Sequence, residues 1–181
     1  YDQSLALAQS QNNALEIAQI QLGLGTAYAN QQDYARAVSY YQESLSSART
    51  LGSKLGEGIA LTNLGHVQLQ LNQLPEAASH LQQGIEVWES LRAGLGTHDD
   101  FKISLFETQR NAYRNLQEVL VMQNQPNRAL EIAERGRSRA FVELLARETQ
   151  PGDPAIPSSA TSSAAPPSLA QIKQVATRNQ A

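Results

Sequence analysis

The chain has 181 residues, 41% hydrophobic and 17% charged, with a formal net charge of −3. It contains no cysteine, which excludes disulfides, thiolate metal sites and a cysteine nucleophile. The balance of charge argues against a nucleic-acid partner, and no apolar run approaches the ~18–20 residues of a membrane helix.

The chain opens inside a repeat. Tyr1, Ser4 and Leu5 recur 40 residues later as Tyr41, Ser44 and Leu45. Residues 1–13 therefore read as a partial repeat, and the start at Tyr1 reads as a cut. The missing partner is expected to leave Leu5 and Leu7 on an exposed apolar edge through which the chain self-associates.

The first full unit spans 14–53. From Leu15 to about Asn30, Ile17, Ile20, Leu24, Ala27 and Tyr28 follow helical spacing. Asp33 suits the N-cap of a second helix, with Ala37, Val38, Tyr41, Leu45 and Ala48 on its inward stripe. The second unit, 54–100, repeats this at the same offset: Leu24-Gly25 becomes Leu64-Gly65, and Ala37 becomes Ala77. Its helices are predicted over about 54–71 and 74–91. The third unit, 101–149, is offset by 52 residues, so that Ala129 matches Ala77 and Gly136 matches Gly84. The extra residues fall around Ala93–Asp100, a stretch with glycine turn signals. Its helices are predicted over about 101–122 and 126–148, with Pro126 at a first helical position. Small residues recur where helices must approach closely: Ser4, Ser44, Gly84 and Gly136 at one position, Ala37, Ala77 and Ala129 at another.

Residues 150–167 are dominated by Pro, Ser and Ala and read as a linker. Ser168 then caps a short amphipathic segment, 168–181, with Leu169, Ile172 and Val175 on one side. It is expected to lead to a further C-terminal domain.

Gln21, Leu24-Gly25, Tyr28, Ala37 and Tyr41 resemble the tetratricopeptide repeat pattern W-x2-L-G-x2-Y…A-x3-F, with Gln21 in the Trp place. The second unit keeps Leu64-Gly65 and Ala77, with Leu61, Gln68 and Leu81 at the aromatic places. The third has Tyr113, Leu116, Gln117, Leu120, Ala129 and Ala133, its family glycine replaced. The 40-residue period exceeds the usual 34 and is similar to the long-helix variety of kinesin light chain and cell-polarity adaptors. The resemblance implies an all-α fold, a TPR-like right-handed superhelical solenoid of antiparallel helix pairs. A second resemblance is carried by Arg128–Ala146, by Ile103–Leu120 and by Gln171–Ala176. These are similar to the last repeat, and to the segment before the catalytic domain, of cyanobacterial CHAT proteins, which join such repeats to a caspase-like domain. It implies a cytoplasmic regulatory arm whose catalytic His and Cys lie beyond residue 181, so that this segment is not itself an enzyme.

The repeat register places Leu22, Thr26, Ile59, Thr62, Asn63, His66, Leu69, Arg114, Asn115, Glu118 and Met122 on the inner groove, the default site for a protein or peptide ligand. Asn63 and Asn115 share one repeat position, which in the resembled family holds an extended peptide by its backbone. An amide suits that task because it both donates and accepts. The chaperone-tail carboxylate clamp of other proteins of the resembled family wants Lys and Asn where Leu22 and Thr26 stand, and Lys and Arg where Asn111 and Asn115 stand, so the resemblance does not extend to that clamp.

Seven of the eleven arginines lie between 110 and 148, offset there by five Glu. Arg137 takes the place of Leu5, Leu45 and Ile85. It therefore reads as an end-cap or, with Arg135, Arg139, Phe141, Leu144 and Leu145, as a docking face for the CHAT domain of the same chain. His66 reads as a groove-lining polar residue without chemistry. His98-Asp99-Asp100 lacks metal-site spacing and reads as a solvated loop, and Glu86 with Glu89 reads as a solvated face. No catalytic constellation, metal site or cofactor is expected.

Overall fold

The computed structural model describes residues 2–11, 13–94 and 99–148, and side chains within 3–8, 10–11, 13–91 and 109–137. Seven helices follow one another: α1 (Asp2–Ser10), α2 (Ala14–Asn30), α3 (Tyr34–Thr50), α4 (Lys54–Gln70), α5 (Leu74–Gly94), α6 (Asp99–Met122) and α7 (Pro126–Glu148). No strand occurs among the described residues. The chain forms two compact units, Tyr1–Val119 and Leu120–Ala181, divided within α6.

In the first unit, α2 packs on α3, α4 on α5, α3 on α4, and α1 against α2. The pairs run antiparallel, because contacts move down one helix as they move up the other. The Tyr41 ring lies over Gly25, while the Ser44 hydroxyl, one turn later, donates to the Ala18 carbonyl at 3.0 Å. In the second pair, Leu81 covers Gly65 and Trp88 bonds Thr62. The architecture is all-α, a tetratricopeptide-type stack of antiparallel helix pairs.

The glycines expected to permit close packing do so. A Cβ on Gly25 would meet the Tyr41 ring at 2.6 Å. One on Gly65 would collide with Leu81 Cγ and reach the Ala77 carbonyl oxygen at 3.2 Å. Ala37 and Ala77, at 0% exposure, hold the other half of that contact line. Around it the core gathers Tyr41, Leu45, Ala60, Leu61, Leu64 and Val67.

The turns repeat as faithfully as the helices. Gln32, Asn72 and Asn124 all have positive φ, at 62°, 57° and 57°. Each reverses the chain as a helix ends. The following amide then reaches back five residues: Asp33 to the Tyr28 carbonyl at 3.0 Å, Gln73 to Gln68 at 2.8 Å, and Gln125 to Leu120 at 2.8 Å. The next helix starts from a capped amide, as expected for Asp33, whose carboxylate accepts from the Arg36 N–H. Asn13 and Ser53 cap α2 and α4 in the same way.

The Gln21 side chain, in the family's Trp place, is 8% exposed and satisfied by α3. Its amide nitrogen donates to Glu43 at 2.9 Å and its oxygen accepts from Ser47 at 3.2 Å. In α1, Leu7 is 57% exposed, while Leu5 is half-buried.

Gly65→Ala tests the close approach. Alanine alone would favour a helix interior over glycine by ~1 kcal/mol. The clash falls on the Leu81 branch point and the Ala77 backbone, neither of which swings aside, so overpacking at the upper end of about 1–3 kcal/mol outweighs that gain and stability falls. A lower melting temperature in circular dichroism checks this; an unchanged or higher one refutes it.

Candidate functional site

The inner helices α2, α4 and α6 carry the residues expected in the groove. Of these, the structure brings together His66, Arg114, Asn115 and Glu118. Asn115 is 5% exposed, and its amide nitrogen lies 3.3 Å from His66 Nδ1, which joins α4 to α6. An amide nitrogen can only donate, so Nδ1 accepts and the neutral ring carries its proton on Nε2. His66 is exposed. Desolvation by the packed helices holds the His66 pKa below the ordinary 6.5; the Arg114 charge pushes it the same way, and Glu118 opposes them. His66 thus has a partner that its sequence position does not reveal, and it presents an N–H donor. Asn63 is half-buried, while Arg114 and Glu118 are exposed.

Other expected groove residues are used for packing. Thr62 is 4% exposed and does not face the groove. Its hydroxyl donates to the Gly58 carbonyl at 2.8 Å and accepts from Trp88 Nε1 at 3.0 Å. The bulky indole on α5 needs a buried acceptor, and Thr62 supplies it. Leu69 is buried at 6%. Leu22 and Ile59 are half-buried. Thr26 is exposed, but its hydroxyl donates to the Leu22 carbonyl and accepts from Tyr41 at 3.2 Å. Met122, 49% exposed, belongs to the second unit.

The docking residues divide. In α7, Arg135 is half-buried, and exposed Arg137 pairs with Glu134 one turn back. The side chains of Arg139, Phe141, Leu144 and Leu145 lie outside the described residues, as do residues 149–181 and His98.

Three polar features escaped sequence reasoning. The first is an ionic tie at the junction of the pairs. Glu57, 9% exposed, accepts from Arg49 Nε at 3.0 Å and from Lys54 Nζ at 2.8 Å, while Arg49 also donates to Gln83 at 3.1 Å. Those cations, Lys54 first, hold the Glu57 carboxyl below its ordinary 4.5 against the cost of burial. A signal existed, since Glu57 takes the place of Ile17 in the repeat. Beside it a cleft of ≈330 Å³ is lined by Lys54, Glu57, Gln83, Glu86, Val87 and Ser90. The second is Glu89, which is half-buried and accepts from the Tyr113 hydroxyl at 2.5 Å, so it is not part of a solvated face. The third is His80, whose Nδ1 meets the Gln68 amide oxygen at 2.7 Å. Burial lowers its pKa, helped by Arg49 and opposed by Glu76.

Among the described residues no three His, Cys, Asp or Glu side chains gather as for a metal ion. Among the same residues no helix is long and apolar enough to cross a membrane.

Stacked antiparallel helix pairs define a helical-repeat protein. The family model described as tetratricopeptide repeat matches residues 16–90, and that segment is a tetratricopeptide-repeat region. The chain is similar to tetratricopeptide repeat protein 28 of Mus musculus, 37% identical over 110 residues, which cover 59% of this chain and 4% of that protein. It is 41% identical to the Homo sapiens protein of the same name over 87 residues, 46% of this chain and 4% of that one. G-protein-signaling modulator 1 of Homo sapiens is 40% identical over 55 residues, 30% of this chain and 8% of that protein. The chain therefore spans a small part of the length of these relatives.

The histidines and Glu57 set a pH dependence of stability. The folded-state pKa values of His66 and His80 lie below 6.5, so as pH falls past 6.5 the unfolded chain takes protons that the folded chain refuses. Stability is therefore lost through that window. A second loss follows below 4.5, as pH falls through the depressed folded pKa of Glu57. Melting curves from neutral to acid pH should show both steps, with His80→Gln shrinking only the upper one. A flat profile above pH ~5 would contradict the assignment.

Proposed function

We propose that the chain is a protein-binding scaffold that holds an extended segment of a partner along the inner faces of α2, α4 and α6. The observation that carries this reading is the Asn115–His66 bond, which fixes polar groups of two successive inner helices in one place. Asn63, at the repeat position of Asn115, adds a half-buried amide on α4. Backbone amides and carbonyls of an extended peptide are the groups such side chains match.

The finer form of the proposal is the cytoplasmic regulatory arm of a CHAT-family caspase-like protein. Its parts are the repeats over 1–149, the linker over 150–167 and the segment 168–181 leading to the catalytic domain. The likeness of Arg128–Ala146 to the last repeat of that family supports it. In this form α7 meets the catalytic domain through Arg135, Arg137, Arg139, Phe141, Leu144 and Leu145, and groove binding biases that packing. This segment binds and transmits, and the reaction belongs to the catalytic domain. A second reading, a structural or oligomerisation module, is favoured by Leu7, whose 57% exposure offers α1 a self-associating edge.

The test is capture of partners from a cyanobacterial lysate by the full chain and by Asn63→Ala, with equal melting temperatures as the control. The groove reading expects a partner bound by the parent chain and lost from the variant. Equal retention, together with concentration-dependent oligomers in light scattering, would replace it with the structural module.

A further inference from the structure

We propose that the cleft where α3, α4 and α5 meet is a second binding site, outside the inner groove, that receives an arginine side chain of a partner protein. It shares no residue with the groove and does not rest on the groove reading.

The cleft holds ≈330 Å³, and α5 supplies four of its six lining residues: Gln83, Glu86, Val87 and Ser90. They lie three, four and seven positions apart, so one face of the helix forms one wall. Lys54 and Glu57, in the first turn of α4, form the other.

The charges of the α4 wall are matched within the chain. Glu57 accepts from Lys54 Nζ at 2.8 Å and from Arg49 Nε at 3.0 Å, and Arg49 reaches on to Gln83 Oε1 at 3.1 Å. The Gln83 amide nitrogen is spent on Ser79. The α5 wall keeps the unmatched charge. Glu86 is exposed and in no ion pair among the described residues. The Gln82 amide, on the same helix, approaches it only to 3.5 Å. One turn further on, Ser90 adds an exposed hydroxyl, and Val87 beside them is half-buried.

The group that completes this wall has a positive charge, several donors and an apolar stem. A guanidinium carries five N–H donors and no acceptor, so two can pair with the Glu86 carboxylate while a third meets Ser90. The arginine methylenes then have Val87 to lie against. A carboxylate ligand would be repelled by Glu86, and an apolar one would leave that charge unpaired. The chain already uses the same chemistry at this corner, where Arg49 spans a carboxylate of α4 and an amide oxygen of α5. The wider field agrees, since residues 54–91 carry one Lys against four Glu.

The experiment titrates the full 181-residue chain with N-acetyl-arginine methylamide at low ionic strength and follows the backbone amides by NMR. N-acetyl-citrulline methylamide serves as the uncharged isostere. The arginine probe should give saturating shifts at Val87 and Ser90, and the citrulline probe none. Glu86→Gln should weaken the arginine probe by roughly three- to tenfold. Glu76→Gln, which removes the same charge elsewhere on α5, and Asn63→Ala in the groove should leave its affinity unchanged. Glu76 and Glu86 are exposed, and circular dichroism confirms that the variants fold. Equal weakening by Glu76→Gln and Glu86→Gln would reduce the effect to diffuse charge and overturn the site. Equal shifts from citrulline, or no saturating shift at Val87 and Ser90, would overturn it too.

Discussion

The close approach of paired helices at Gly25 and Gly65 is the constraint on which the rest depends. With no Cβ at either position, Tyr41 and Leu81 lie directly on the backbone of the facing helix. Dispersion falls steeply with distance, so this spacing sets how completely Leu61, Leu64, Leu81 and Ile85 lose contact with water. Two helices held that closely leave little room for large residues along their shared face. The bulky side chains there are few, and each has an assigned place: Tyr41 over Gly25 with its hydroxyl on Thr26, Trp88 with its indole on Thr62. Antiparallel pairs this tight also need abrupt reversals, which the positive-φ residues Gln32, Asn72 and Asn124 provide at one repeated position.

Once the pairs are fixed, their stacking decides what faces the groove. Arg49 at the end of α3 reaches Glu57 on α4 and Gln83 on α5, and so ties the first pair to the second through a buried carboxylate. The Arg49 and Lys54 side chains are 49% and 60% exposed, so solvent screens the tie and its strength is that of a partly exposed ion pair. On α6, Tyr113 donates to Glu89 and Asn115 donates to His66. These two bonds join α6 to α5 and to α4.

Much of the frame was legible in the sequence, because a repeat states its packing more than once. Leu24-Gly25 and Leu64-Gly65, with Ala37 and Ala77, mark the contact line, and Asp33 marks a helix start. The site was legible only in part. Register assigns Thr62 to the groove by counting, but counting ignores Trp88, twenty-six residues away, whose indole draws the hydroxyl inward. His66 appeared partnerless because Asn115 lies forty-nine positions further on. Glu89 read as solvated because Tyr113 comes from the next repeat. Each of these contacts joins different elements, and residue spacing within one element carries no information about them. Glu57 is the exception, since an acidic residue at an isoleucine position of the previous repeat already signalled a buried charge.

Asn115 holds His66 as a fixed Nε2–H donor. The most direct measurement is a long-range proton–nitrogen NMR spectrum of the His66 ring above pH 7 in the intact chain. The expected result is a single Nε2–H tautomer, with Nδ1 as the acceptor, that becomes a mixture of tautomers in Asn115→Ala. An Nδ1–H tautomer, or the same mixture in both proteins, would contradict it.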